Sequence, residues 1–150
     1  MIKKTKRSIQ WVKKSNSRAR RSRAKGKEES LISSNKQKYA GIHLIAEFWN
    51  GKIIEDPKEI KKILAEAVKK AKSAPLEIAI HKFSPQGLTG VVLLEESHIA
   101  IHTWPEINYV AIDIFTCGEK AMPRRALEYL KKTFKPKKIE IKELKRGKLE

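Results

Sequence analysis

One cysteine, Cys117, is all the thiol this 150-residue chain carries, so no internal disulfide can form and a reducing compartment suits it. No apolar run approaches the roughly 20 residues of a membrane-spanning helix, and the N-terminus lacks the apolar segment of a secretory signal. The expectation is a cytoplasmic protein with no membrane partner. Acids are nearly missing from the first forty positions, which hold 14 Lys or Arg against 2 Asp or Glu, whereas residues 41–150 hold 20 against 15. Most of the formal charge of +17 therefore belongs to the leader. Its stretch Arg18-Ala19-Arg20-Arg21-Ser22-Arg23-Ala24-Lys25-Gly26-Lys27 has almost nothing apolar to bury and cannot offset its ordering entropy. Residues 1–38 are expected to be a basic, disordered N-terminal extension, solvated by default, with nucleic acid as the partner its charge would suit.

From Tyr39 the texture changes, and 40% apolar composition suffices for one domain over residues 39–150. Ile42, Leu44, Ala46 and Phe48 alternate as a half-buried strand requires, and Asn50-Gly51 turns the chain. Asp56 is placed to cap a helix with Pro57 at its first position and Glu59 reaching back, while Ile60, Ile63, Leu64, Ala67, Val68 and Ala71 recur at helical spacing. Leu76, Ile78 and Ile80 predict a second strand, ended at Pro85-Gln86-Gly87. Runs at Val91–Leu94, Ile99–Thr103 and Tyr109–Thr116 read as consecutive antiparallel strands. Pro123 opens a second helix with Ala126, Leu127, Leu130 and Phe134 inward and Lys131, Lys132 and Lys135 near its C-terminal end, where the dipole favours cations. Ile139 and Ile141 begin a last strand before a polar tail. The order β-α-β-β-β-β-α-β predicts an α+β two-layer sandwich, an antiparallel sheet with both helices on one face. The other face is left for chemistry or for a second copy of the chain.

The reactive residues cluster in the second half. The Ser97 hydroxyl can attack the carbonyl of Glu96, closing a five-membered ring and moving the acyl group from nitrogen to oxygen. The ester lies uphill of the amide, so the shift matters only where strain or preorganised donors favour it and a base removes the Ser97 α-proton. His102 is the candidate base, since imidazole is largely unprotonated at neutral pH. β-Elimination would release a chain ending at Glu96 and leave dehydroalanine at 97, which hydrolyses to a pyruvoyl group. That carbonyl could condense with an amino-acid amine to a Schiff base and accept the electrons freed as carbon dioxide leaves, with the Cys117 thiol returning a proton. Against this stand ordinary readings: a serine before a strand is commonly a turn residue, and a cysteine ending an apolar strand commonly packs. His98 and His102 share a strand face and with His81 and Cys117 would offer zinc ligands, but no pair has the usual close spacing, so no metal is expected. Strict alternation puts Ser97 and His102 on opposite faces, so their pairing calls for a bend or bulge at Ser97.

The run Gly87-Leu88-Thr89-Gly90-Val91-Val92-Leu93-Leu94-Glu95-Glu96-Ser97-His98-Ile99-Ala100-Ile101-His102-Thr103-Trp104-Pro105-Glu106, followed by Ala111-Ile112-Asp113-Ile114-Phe115-Thr116-Cys117-Gly118, closely resembles the short prokaryotic S-adenosylmethionine decarboxylases. Gly41 to Phe48 and His81-Lys82-Phe83-Ser84-Pro85 match too, so the resemblance covers roughly residues 40–145. It implies self-cleavage before Ser97, a pyruvoyl group in place of pyridoxal phosphate, His102 in processing assisted by a hydroxyl at Thr89, and Cys117 as proton donor. It also implies a homodimer of cleaved protomers with active sites near the interface, making the aminopropyl donor for spermidine. The implied substrate is a sulfonium cation carrying adenine, and both groups want π-faces: Phe83 and Trp104 are the candidates, with Glu106 on the ribose hydroxyls. Core aromatic and surface carboxylate are the plain alternatives for these three. Two other functions stay open at this point: a related decarboxylase acting on arginine or ornithine, and a non-catalytic nucleic-acid binder working through residues 1–38. The leader has no counterpart in compact family members.

Overall fold

The computed structural model describes residues 39–95 and 97–148; the basic leader and Glu96 lie outside them. Strand β1 (Tyr39–Trp49) buries Leu44, Ala46 and Phe48 on one face, as its alternation requires. Asn50 then turns at φ 54, and Gly51 must be glycine because an added Cβ would stand 2.5 Å from the Phe134 carbonyl. In helix α1 (Pro57–Lys70) Asp56 accepts a hydrogen bond from Lys58 N at 3.0 Å, with Pro57 at the first position. Glu59 does not reach back to the cap: its carboxylate meets Lys52 Nζ at 3.2 Å instead. The apolar stripe Ile60, Ile63, Leu64, Ala67 and Val68 is buried, and each large aliphatic among them contributes about 1.5–3 kcal/mol.

The chain continues through β2 (Pro75–Lys82), β3 (Leu88–Leu94), β4 (Ser97–Trp104), a 3-10 turn at Pro105–Ile107, β5 (Tyr109–Cys117), helix α2 (Pro123–Phe134) and β6 (Lys138–Lys148). All five neighbour pairs are antiparallel, in the order β2-β3-β4-β5-β1-β6. Helix α1 lies over β2 and β3 and α2 over β1 and β5, so both cover one face. Between them and the sheet lies the core, with Phe48, Leu64, Ile99, Ile101, Ile112, Ile114, Leu130 and Phe134 essentially inaccessible. The architecture is the antiparallel sandwich that the element order predicts.

Two elements differ from the sequence reading. The last strand does not give way to a tail after Ile141 but pairs with β1 as far as Lys148 opposite Tyr39, interrupted only where Gly147 adopts φ 61 against Ala40. An edge strand needs no continuous apolar face, so a Lys- and Glu-rich stretch joins the ladder through its backbone. The 3-10 turn is the other addition: Pro105 starts it and Asn108, left-handed at φ 52, closes it. Among the described residues no helix is long and apolar enough to cross a membrane.

Candidate active site

Strand β4 is paired on both sides, to β3 and to β5, which fixes where each of its side chains points. Ile99, Ile101 and Thr103 face the helices, and Ser97 shares their parity; His98, Ala100, His102 and Trp104 face the open side. The register runs unbroken from Leu88 opposite Thr103 to Leu94 opposite Ser97. The bend that would bring His102 round to Ser97 is therefore absent. Five residues of extended chain also separate the two by roughly 16 Å along the strand.

The site residues fall into two groups at opposite ends of β4. Ser97, half-buried at the first position, lines a recess of about 500 Å³ with Cys117, Leu94, Glu95, Lys72 and Lys120. Cys117 ends β5, and its Sγ packs over Gly41, where an added Cβ would lie 2.9 Å from the sulfur and 2.6 Å from Thr116 O. Gly118 turns the chain away at φ 83.

At the other end Thr89 and His102 are direct cross-strand partners, Thr89 Oγ1 lying 2.9 Å from His102 Nδ1. When Nδ1 carries the ring hydrogen it donates to Thr89 and leaves Nε2 free as a base. Both line a second recess, about 310 Å³, with Phe83, Gln86, Trp104 and Glu106. Phe83 and Trp104 are 49% and 39% exposed, so neither is a core aromatic. Trp104 leans on Tyr109 at 5.2 Å, which stacks on Trp49 at 4.3 Å. Tyr109 donates to Glu47, and burial together with that carboxylate pushes its phenol far above the ordinary range. The loop carrying Phe83 is tied down: Phe83 N donates to Gly87 O at 2.9 Å, Gly87 N to Glu55 Oε1 at 3.0 Å, and Leu88 N to the buried Thr103 hydroxyl at 2.9 Å. Gln86 Nε2 donates to Glu106 at 3.2 Å. Glu96 lies outside the described residues.

One cluster was not foreseen. Arg146 donates to His43 Nδ1 at 3.2 Å, so His43 Nε2–H donates to Asp113 Oδ1 at 3.1 Å. His98 and Phe115 flank the ring, and the Arg146 guanidinium lies 5.6 Å from the centre of Phe115. This charged group sits on the open face near Cys117. The only local signal was Asp113 and Cys117 sharing strand parity, because Arg146 falls in what reads as a tail.

Residues 42–147 match the family model described as S-adenosylmethionine decarboxylase. An S-adenosylmethionine decarboxylase proenzyme of Methanococcus maripaludis is 45% identical over 115 residues, 75% of this chain and 94% of that protein. One of Acetivibrio thermocellus is 48% identical over 109 residues, 71% of this chain and 88% of its own length. Among solved structures, the adenosylmethionine decarboxylase of Aquifex aeolicus VF5 aligns with a TM-score of 0.70 at 37% identity, over 75% of this chain and 95% of its own.

Proposed function

The chain belongs to the S-adenosylmethionine decarboxylase family, and from that premise we propose that it is a proenzyme that cleaves itself between Glu96 and Ser97, turns Ser97 into a pyruvoyl group and decarboxylates S-adenosylmethionine for polyamine synthesis. Residues 39–150 are the catalytic domain and residues 1–38 a basic extension of it.

The observation that carries this reading is the position of Ser97. It is the first residue of a strand held on both sides, at the mouth of the recess that also holds Cys117. A new N-terminus there stays anchored in the sheet, so the residues present fit the prosthetic group. Only Glu95 and Glu96 join β3 to β4, a connection without the Gly, Asn or Asp that a two-residue hairpin loop favours. Position 97 would hold the pyruvoyl group, which would supply a carbonyl for the substrate amine and an electron sink for the loss of carbon dioxide. Cys117 holds the proton that the substrate carbon then receives. His102, oriented by Thr89, takes the Ser97 α-proton during cleavage. Phe83 and Trp104 offer faces to adenine and the sulfonium, the cationic contact contributing about 0.5–2 kcal/mol, and Glu106 receives the ribose hydroxyls.

The two groups cannot act on one another within a single chain. Their separation supports a homodimer in which each active site takes Ser97 and Cys117 from one copy and Thr89, His102 and the substrate-binding rings from the other. Such a pair would also cover part of the open face.

Mass spectrometry of the purified protein tests the cleavage. Fragments of residues 1–96 and of a C-terminal piece with a blocked N-terminus are expected, and a single intact chain would sink the proposal. Carbon dioxide release from S-adenosylmethionine, arginine and ornithine, compared side by side, tests the substrate; release from either amino acid in preference to S-adenosylmethionine would overturn it.

A further inference from the structure

We propose that the lysine cluster at the C-terminal end of α2 is a docking surface for duplex nucleic acid, held through its phosphates. Lys131, Lys132, Lys135, Lys137 and Lys138 are five cations in eight residues with no acid among them, and all five are exposed. Among the described residues only Lys138 has a carboxylate within 4.0 Å, Glu140 at 2.8 Å. A helix C-terminus presents the equivalent of about half a negative charge, so one or two lysines would complement it and the remainder are in excess.

The cluster also borders a recess of about 550 Å³ lined by Asn50, Gly51, Asn108, Lys135 and Lys137, with no carboxylate in the lining. Its backbone is tied together: Asn50 N donates to Asn108 O at 2.8 Å, Lys135 N to Lys131 O at 2.9 Å and Lys137 N to Trp49 O at 3.0 Å. Lysine ammoniums and side-chain amides around a fixed concavity suit a phosphate.

The class of polyanion follows from what accompanies the charge. Ala126, Leu127, Leu130 and Phe134 are buried in the core, no large hydrophobic residue between 123 and 138 is exposed, and Ile107, next to Asn108 in the chain, is a single exposed aliphatic, so the helix end has no apolar face to lay into a bilayer. Tyr129 packs against the core, and of the rings next to the recess in the chain Tyr109 is already stacked between Trp49 and Trp104, so the helix end itself offers no ring on which unpaired bases could stack. A duplex, whose bases are already stacked, needs only its backbone met.

The test is fluorescence anisotropy of the full chain with a labelled duplex of about 20 base pairs over rising salt. The double variant Lys132→Gln, Lys137→Gln should bind roughly 10-fold more weakly near 0.1 M salt and lower the slope of log affinity against log salt by about 1.8. The α1 variant Lys61→Gln, Lys62→Gln removes the same charge elsewhere and should change affinity by less than about twofold. Matching melting curves for the three proteins exclude a folding defect. Equal losses in the two variants, no loss in either, or no duplex binding at the lowest salt would each overturn the proposal. Tighter binding to a single strand or to phosphatidylserine vesicles than to the duplex would do the same.

Discussion

Where β4 begins, Ser97 and Cys117 share a recess whose rim carries charges of both signs, Lys72, Glu95, Glu119 and Lys120, and no aromatic ring. Where it ends, His102 is surrounded by flat groups, with Trp104, Tyr109 and Trp49 stacked behind it and Phe83 across the recess. In the proposed roles, one end would supply the atoms for bond-making, and the other the surfaces for a planar ligand and a base, His102, which lies 2.9 Å from Thr89 Oγ1. A single strand supplies both, about 16 Å apart and on opposite faces, because pairing on both sides allows it neither to bend nor to slip. In the proposed dimer, a rigid strand would thus divide the chemistry between two copies of the chain.

The strongest way to break that division is complementation. Ser97→Ala and His102→Ala should each stop cleavage when expressed alone, whereas co-expression should restore it to the His102→Ala chain, which keeps its serine. Gel analysis of tagged chains reads this, and mixed dimers that stay wholly uncleaved would mean that the ends do not meet between copies. A smaller effect separates making the cofactor from using it: Cys117→Ala should cleave normally yet turn over about 10²- to 10⁴-fold more slowly, and loss of cleavage would erase the distinction. Thr89→Val removes one hydrogen bond to His102 and should slow cleavage about 3- to 10-fold, with Thr89→Ser close to the parent.

Gly90→Ala addresses the scaffold between the ends. An added Cβ would lie 2.8 Å from Leu64 Cδ1 and 2.9 Å from Ile80 Cδ1, so denaturant unfolding should show a loss of about 1–3 kcal/mol. Cleavage and turnover per folded molecule should be untouched. The least effect concerns Tyr109, behind His102. Its folded phenol titrates above the unfolded one, near 10, so its contribution is whole below that pH and is lost as pH rises further. Tyr109→Phe should remove this alkaline decline from the stability profile, and an unchanged slope above pH 10 would contradict the burial assigned to it.

The sandwich was legible because its apolar residues alternate or recur cleanly: Leu44, Ala46 and Phe48 on β1, and Ile60, Ile63, Leu64, Ala67 and Val68 on α1, all end up buried. Proline also marked both helix starts, at Pro57 and Pro123. The length of β6 was not legible, since an edge strand of Lys and Glu carries no period and only its partner reveals it. The conflict in parity between Ser97 and His102 was visible from the sequence. Its resolution was not, because whether a strand bends depends on neighbours distant in the chain. The tethers from Glu55 to Gly87 and from Arg146 to His43 span 32 and 103 positions, beyond any local pattern.

Strand order adds a consequence for the mature protein. Cutting before Ser97 would assign β1, β2 and β3 to one piece and β4, β5 and β6 to the other, yet β1 lies between β5 and β6. The pieces are interleaved, and three seams, β3 with β4, β5 with β1 and β1 with β6, would have to part before they separate. A covalent cut therefore leaves the molecule mechanically whole while converting refolding from a one-body into a two-body reaction. Once melted and diluted, the enzyme should recover at a rate set by its concentration, whereas the uncleaved Ser97→Ala chain folds as a single connected polymer.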